Sequence, residues 1–239
     1  MIVTTKAIVI STIKYGDTGV IVKCFTASDG IKSYLLRGIL KSKKGKLKIA
    51  YFQPLMQLEI VASHKNKGSL EYIKDVKTVY PYTSIHTQIA KSAIVLFLSE
   101  ILNYSIQEEE KNDALFEFIE NALQWLDIHD EIANFHLVFL TNLTKYFGFY
   151  PETEDIHKDY FDLQEGQFFD QSTMNQCITG ENLTYFKRLL GIKFDEQNTI
   201  MLSSYRRNEI LAIFIQYFKL HLQGFRQPKS MEVLHEVFK

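Results

Sequence analysis

The sequence predicts an α+β protein, with a small β-barrel over about residues 1–80 and an all-α domain over 81–239 that is broken by an irregular insertion at about 152–180. Three observations predict it. Before Tyr80, short runs rich in Val, Ile, Thr, Tyr and Phe are separated by Gly, Asp and Asn. After Pro81 the hydrophobic period lengthens from two residues to about 3.6. Charge divides at the same place. Residues 1–80 carry 14 Lys and Arg against 5 Asp and Glu, a net +9, and residues 81–239 carry 13 against 23, a net −10. A chain that is nearly neutral overall thus joins a part suited to a polyanion to a part with a different task.

Five strands fit the first 80 residues, at roughly Val3–Ile13, Gly19–Thr26, Ile31–Gly38, Gln53–Ala62 and Ser69–Val79. Turn residues stand between them at Tyr15-Gly16-Asp17, Ser28-Asp29-Gly30 and His64–Gly68. Met56, Leu58 and Ile60 alternate with Gln57 and Glu59, as in a strand with one wet face. Five strands in so short a span, with a long basic connection before the fourth, fit a small closed barrel. An OB-fold is the first choice, and an SH3-like barrel has the same strand content.

Beyond Pro81, three helical stripes follow. Ile85, Ile89, Ala93, Leu96, Phe97, Ile101 and Tyr104 form the first, with Thr83 or Ser84 available as a cap. Leu115, Phe116, Ile119, Ala122, Leu123 and Leu126 form the second. Ile132, Phe135, Val138, Phe139, Leu143, Tyr146 and Phe147 form the third, stopped by Gly148 and Pro151. Short links between them predict an antiparallel bundle. In the insertion, Tyr160–Leu163 and Gln167–Phe169 are placed to pair across Glu165-Gly166, and helices resume near Leu183–Leu190, Ser204–Leu222 and after Ser230.

No run approaches the roughly 18 apolar residues of a membrane helix, and polar residues interrupt the opening segment. The expectation is a soluble, cytoplasmic protein with no membrane partner. Two cysteines, Cys24 and Cys177, cannot build a disulfide framework or a four-thiolate zinc site. His157 and Cys177 flank the insertion, but two ligands make no structural zinc site, so no metal is assigned. No GxSxG, HExxH, CxxC or GxGxxG is present, which argues against an enzyme and a cofactor. The acidic runs Glu108-Glu109-Glu110 and Glu152–Asp155 are expected to be solvated faces rather than acid/base catalysts.

The densest local signal runs from Arg37 to Lys48, with Arg37, Lys41, Lys43, Lys44, Lys46 and Lys48 and no acid among them. Such a run neutralises phosphates and releases counterions, giving sequence-independent, salt-sensitive binding. Gly38 and Gly45-Lys46 imitate a P-loop, but six residues separate the glycines and Leu47 stands where a Ser or Thr should hold magnesium. Tyr15, Phe25, Tyr34, Tyr51 and Phe52 offer stacking platforms, although core packing is the expected role of each. Arg206 and Arg207 sit at a helix start against the dipole, which suggests a phosphate contact or, equally, salt bridges to nearby acids.

Three motifs together resemble the RecO family of bacterial recombination mediators. The first is the order Ala7-Ile8-Val9, Tyr15-Gly16-Asp17, Thr26 and Gly30, Leu36-Arg37-Gly38, the Lys-rich run and Gln53-Pro54-Leu55. The second is Tyr146-Phe147-Gly148-Phe149-Tyr150-Pro151, and the third is His221-Leu222 with Pro228-Lys229-Ser230 and Leu234. The resemblance implies an OB-fold followed by a helical domain, binding of single- and double-stranded DNA, and annealing of complementary strands. It further implies RecR and the tail of the single-stranded DNA-binding protein SSB as partners, RecA loading as the indirect outcome, and association with the nucleoid. Arg37 and the lysines after it would be the DNA contacts. Many members carry a four-cysteine zinc element after the Gly-Phe-x-Pro segment. Here residues 152–180 hold only Cys177, so zinc is not carried over, and Phe161, Leu163, Phe168 and Phe169 are expected to hold the insertion. The competing reading is an RNA-binding OB module with a helical interaction domain, and a hydrolase with a scattered site is a more remote one.

Overall fold

The computed structural model describes residues 1–41, 47–65 and 70–239. Five strands, β1 (Ile2–Tyr15), β2 (Gly19–Thr26), β3 (Gly30–Leu36), β4 (Gln57–Ser63) and β5 (Tyr72–Thr78), form one antiparallel sheet in the order β3-β2-β1-β4-β5. The long β1 serves two neighbours. Its first half pairs with β4, from Ile2 with Ser63 to Ile8 with Gln57, and its second half pairs with β2, ending with Tyr15 opposite Gly19. A bulge between Val9 and Ser11 allows the strand to bend between the two. β3 and β5 are the edges of this sheet, and one isolated bridge links β3 to the residue before β5. Tyr34 and Glu71 form a parallel bridge in which Leu35 N–H donates to Glu71 O at 3.0 Å and Glu71 N–H to Ser33 O at 2.8 Å.

The concave side is filled by Val9, Val22, Cys24, Tyr34, Leu58 and Ile60, all fully buried. Within it His64 bridges the Tyr34 hydroxyl (2.7 Å) and the Asp29 carboxylate (2.8 Å). Gly30 has φ +63°, and a side-chain carbon there would stand 2.3 Å from Glu110 O, so only glycine admits the chain at 108–110.

The helices α1 (Ile89–Ser105) and α2 (Asp113–Ile128) follow, and residues 1–128 cluster as one compact unit. α3 (Phe135–Tyr146) belongs to a second unit, residues 129–239. The three-helix bundle expected from the stripes is therefore divided, with two helices grouped with the sheet. An apolar stripe dictates that a face be buried, not what buries it. Compactness thus places a division at 128/129, later than the change of hydrophobic period at Pro81.

Two local expectations also shift. Thr83 and Ser84, the expected caps, lie short of α1, which begins at Ile89, itself 77% exposed. The N–H groups of Thr83, Ser84 and Ile85 instead converge on the Asp127 carboxylate at 2.8–3.1 Å. The wet face of β4 is covered, since Gln57 donates to Glu120 O (3.0 Å) and accepts from Gln124 (3.1 Å), both on α2.

In the second unit a small sheet of β6 (Tyr160–Asp162), β7 (Gln167–Phe169) and β8 (Cys177–Ile178) has the order β7-β6-β8. The β6–β7 pairing is the one expected across Glu165-Gly166. Phe161 and Leu163 are fully buried and Phe168 nearly so. Asp162, also buried, accepts from Gln164 and Glu165 N–H, from the Thr173 hydroxyl and from Asn175. It ties β6 to the segment that leads into β8. α4 (Gly180–Leu189), α5 (Ser204–His221) and α6 (Met231–Val237) complete the chain. Gly148 ends α3 at φ +77° and aims Phe149 at α5. There Phe149 stacks on His221 at 5.1 Å and meets Phe218 edge-on. Among the described residues no helix is long and apolar enough to cross a membrane.

Candidate nucleic-acid interface

The basic run leaves β3 at Leu36 and turns at Gly38, whose φ is +70°. Lys41 N–H donates back to Gly38 O (3.2 Å), and Leu40 N–H donates to Thr18 O (3.0 Å). The start of the run is therefore pinned to the turn between β1 and β2. Ile39 is buried in the sheet core and anchors it further. Lys48 precedes a 3-10 turn at Ile49–Phe52, closed by Phe52, which is 2% exposed. Lys43, Lys44 and Lys46 lie outside the described residues.

Arg37, Lys41 and Lys48 are all exposed, and none of their side chains has a hydrogen-bond or ion-pair partner among the described residues. Other lysines of the same unit differ. Lys6 pairs with Glu120 (2.9 Å), Lys32 with Glu109 (2.8 Å) and Lys77 with Glu59 (2.6 Å). Lys23 donates to Asn103 O and Ile106 O, and the buried Lys91 donates to Asp127 O at 2.9 Å. Positive charge on much of the sheet is thus used internally, whereas that of Arg37, Lys41 and Lys48 faces solvent, where it can meet phosphates.

Of the five aromatics weighed as stacking platforms, Phe25, Tyr34 and Phe52 are core residues and Tyr51 is partly buried. Tyr15 departs from the core role, being 53% exposed. Composition could not single it out, because its exposure follows from where the helical cover of the sheet ends.

Arg206 and Arg207 lie in the first turn of α5, where Ser203 Oγ accepts from Arg206 N–H at 3.2 Å. Arg206 is held by Glu181 and, at 2.7 Å, by Glu209, which is the salt-bridging alternative. Arg207 Nε donates to Asn134 Oδ1 and its Nη2 to Leu202 O, both at 3.2 Å. Beside it is a cleft of about 460 Å³, lined also by Glu131, Ile200, Met201 and Leu202. Sequence reasoning missed this cleft, since its wall comes from residues some 70 positions apart. Among the described residues no group of three or more His, Cys, Asp or Glu is placed to hold a metal ion.

Two family models match the chain, "Recombination protein O N terminal" over residues 1–82 and "Recombination protein O C terminal" over residues 86–232. The chain belongs to the RecO family. Relatives named DNA repair protein RecO are 53% identical in Flavobacterium psychrophilum, 50% in Flavobacterium johnsoniae and 48% in Christiangramia forsetii. Each comparison spans 100% of both chains. The RecO motifs quoted from the sequence acquire contacts here: Leu36-Arg37-Gly38 makes the turn that presents the basic run, and Phe149 of the second motif stacks on His221 of the third.

Proposed function

We propose that residues 1–80 form an OB-type domain that grips nucleic-acid phosphates, and that residues 81–239 hold protein partners beside the bound strand. As a RecO protein the chain acts in DNA repair and recombination as a mediator. The observation that carries the phosphate-binding assignment is the exposed set Arg37, Lys41 and Lys48, whose side chains have no partner among the described residues, beside a sheet in which Lys6, Lys23, Lys32 and Lys77 are engaged. By sequence position Lys43, Lys44 and Lys46 complete the set. The isolated parallel bridge between β3 and Glu71, just before β5, supports the barrel, because it brings together the two edges that a five-stranded, partly open barrel must join.

The mechanism is scaffolding without covalent chemistry. Cations that neutralise two strands at once reduce their repulsion, and tethering to SSB raises the local concentration of complementary strands, so annealing follows. RecR and the SSB tail are the protein partners of this reading, RecA loading its indirect outcome, and the nucleoid its setting in the cytoplasm. Arg206 enters as a structural ion pair and Arg207 as the cation of the cleft. That cleft, with apolar walls from Ile200, Met201 and Leu202, has the chemistry an acidic tail requires.

The test is a titration of a labelled single-stranded oligonucleotide at several salt concentrations, repeated with SSB-coated complementary strands to score annealing. Affinity should fall steeply with salt, and annealing should accompany binding. Lys41→Glu, Lys43→Glu and Lys44→Glu together should weaken binding by at least about tenfold with an unchanged circular dichroism spectrum. Unaltered affinity in that triple variant would remove the basic run from the interface. A preference that depends on the 2′-OH would instead identify an RNA-binding module.

A further inference from the structure

We infer that Tyr15, on the row Tyr15–Gly19–Arg37 at the uncovered end of the sheet, is a base-stacking platform that gives the basic run its hold on unpaired strands. The inference rests on the nucleic-acid reading above and deepens it. In β1 and β2, Ile8 pairs with Phe25, Ile13 with Ile21 and Tyr15 with Gly19. Val20 pairs with Leu36, so Gly19 comes next to Arg37, and a side-chain carbon at Gly19 would stand 3.8 Å from Arg37 Cα. The outer face changes character along these rows. Phe25 is buried and meets Phe116 of α2 at 5.7 Å, and Lys23 reaches the carbonyls of Asn103 and Ile106 at the end of α1. Beyond Lys23 the cover stops. Ile13 is 58% exposed and Tyr15 53%.

The middle of the last row has no side chain, and it cannot easily acquire one. A side-chain carbon at Gly19 would lie 3.0 Å from Tyr15 O and 3.2 Å from Leu36 O. Tyr15 and Arg37 therefore stand on either side of the buried Gly19 with no side chain between them, two strand spacings or about 10 Å apart. Lys41 is brought to the same turn by the Leu40 to Thr18 hydrogen bond, whereas Lys14, paired with the core residue Val20, belongs to the opposite face of β1. The side chains of Arg37 and Lys41 have no hydrogen-bond or ion-pair partner among the described residues. Asp17 is the acid in this turn. An apolar ring with solvated cations at its side fits one occupant, an unpaired nucleotide whose base lies on Tyr15 and whose phosphates meet Arg37 and Lys41. A duplex keeps its bases stacked on each other and offers this ring nothing.

The experiment compares the full chain with its Tyr15→Ala, Tyr15→Phe and Arg37→Ala variants. The probes are a single-stranded oligothymidylate carrying one 2-aminopurine and a duplex of the same length. Tyr15→Ala should weaken single-strand binding by about 5- to 20-fold, abolish the 2-aminopurine fluorescence change and leave duplex affinity unaltered. Tyr15→Phe should keep both properties. Arg37→Ala should weaken both probes and lower the salt slope by about one charge. Equal loss on both probes in Tyr15→Ala, or no loss on either, overturns the stacking role while the Arg37 result still stands for phosphate binding. Wild-type protein that binds neither probe at low salt overturns the nucleic-acid reading itself, and the stacking role with it.

Discussion

Asp127 shows how one side chain can replace the cap a sequence pattern calls for. Burial alone would raise its pKa, but N–H groups of Thr83, Ser84 and Ile85 and the Thr83 hydroxyl hold the carboxyl below its usual range. It organises a turn rather than a helix end, with the buried Lys91 donating to its backbone carbonyl. Asp127→Ala leaves three N–H donors facing an apolar gap and should destabilise the first unit by about 3 kcal/mol, measured by urea unfolding. Gly30→Ala combines a left-handed backbone with a collision at Glu110 O. A cost of about 2 kcal/mol should lower the melting temperature by roughly 4–8 °C. Asp127 carries no signal in the sequence beyond its type, and Gly30 is legible as a turn residue but not as the partner of Glu110. Their roles depend on partners 42 to 80 positions away, and no spacing rule reports such partners.

Among the elements, strands and helices follow their hydrophobic period closely. β2 and α5 start where the residue pattern places them, and the α2 stripe of Leu115, Phe116, Ile119, Ala122, Leu123 and Leu126 is entirely buried. β8 escaped notice, because two residues have no period. It is held through Asp162, whose pKa burial would raise but which hydrogen bonds from Thr173, Glu165, Gln164 and Asn175 keep low. Asp162→Asn should loosen the small sheet selectively. Hydrogen exchange should speed up across residues 160–178 and stay unchanged in β1 to β5, with a local loss of about 1–3 kcal/mol. α3 illustrates another limit. Its stripe was read as one face, yet Leu137, Leu140 and Thr141 are buried too, so the helix is enclosed nearly all round. Threonine and asparagine hide such burial from a polarity count, because their side chains satisfy themselves on the preceding turn, as Thr141 does on Leu137 O.

On the scale of the whole molecule, acid should act by two routes, a buried histidine in the second unit and a depressed carboxylate in each unit. His136 is buried in the second unit, where burial first, and then the positive charges of Arg207 and His235, push its pKa down to about 3. The unfolded chain takes up this proton near pH 6.5. Stability from the neutral imidazole is therefore full above about pH 6.5 and is lost as pH falls toward 3, by at most about 1.4 kcal/mol per pH unit. His136→Gln should flatten that part of the pH profile, as followed by thermal unfolding between pH 7 and 4. Asp127 and Asp162 act lower, since a depressed carboxylate contributes fully above about pH 4 and loses its contribution only as pH falls further.

The sequence by itself determined the order of strands and helices, the concentration of positive charge after Leu36 and, through three short motifs, the family. Those properties are local, because period, turn chemistry and charge density are set by neighbours in the chain. Tertiary structure alone decided which lysines remain available, since Lys6, Lys23 and Lys32 look no different in sequence from Lys41 and Lys48 until α2, the end of α1 and the 108–110 segment engage them. It also decided that Tyr15 is bare while Phe25 is covered, and that Phe149 and His221 of two distant motifs form one stack. Each of these depends on what a face is packed against, and an apolar or charged pattern specifies the face but not the partner.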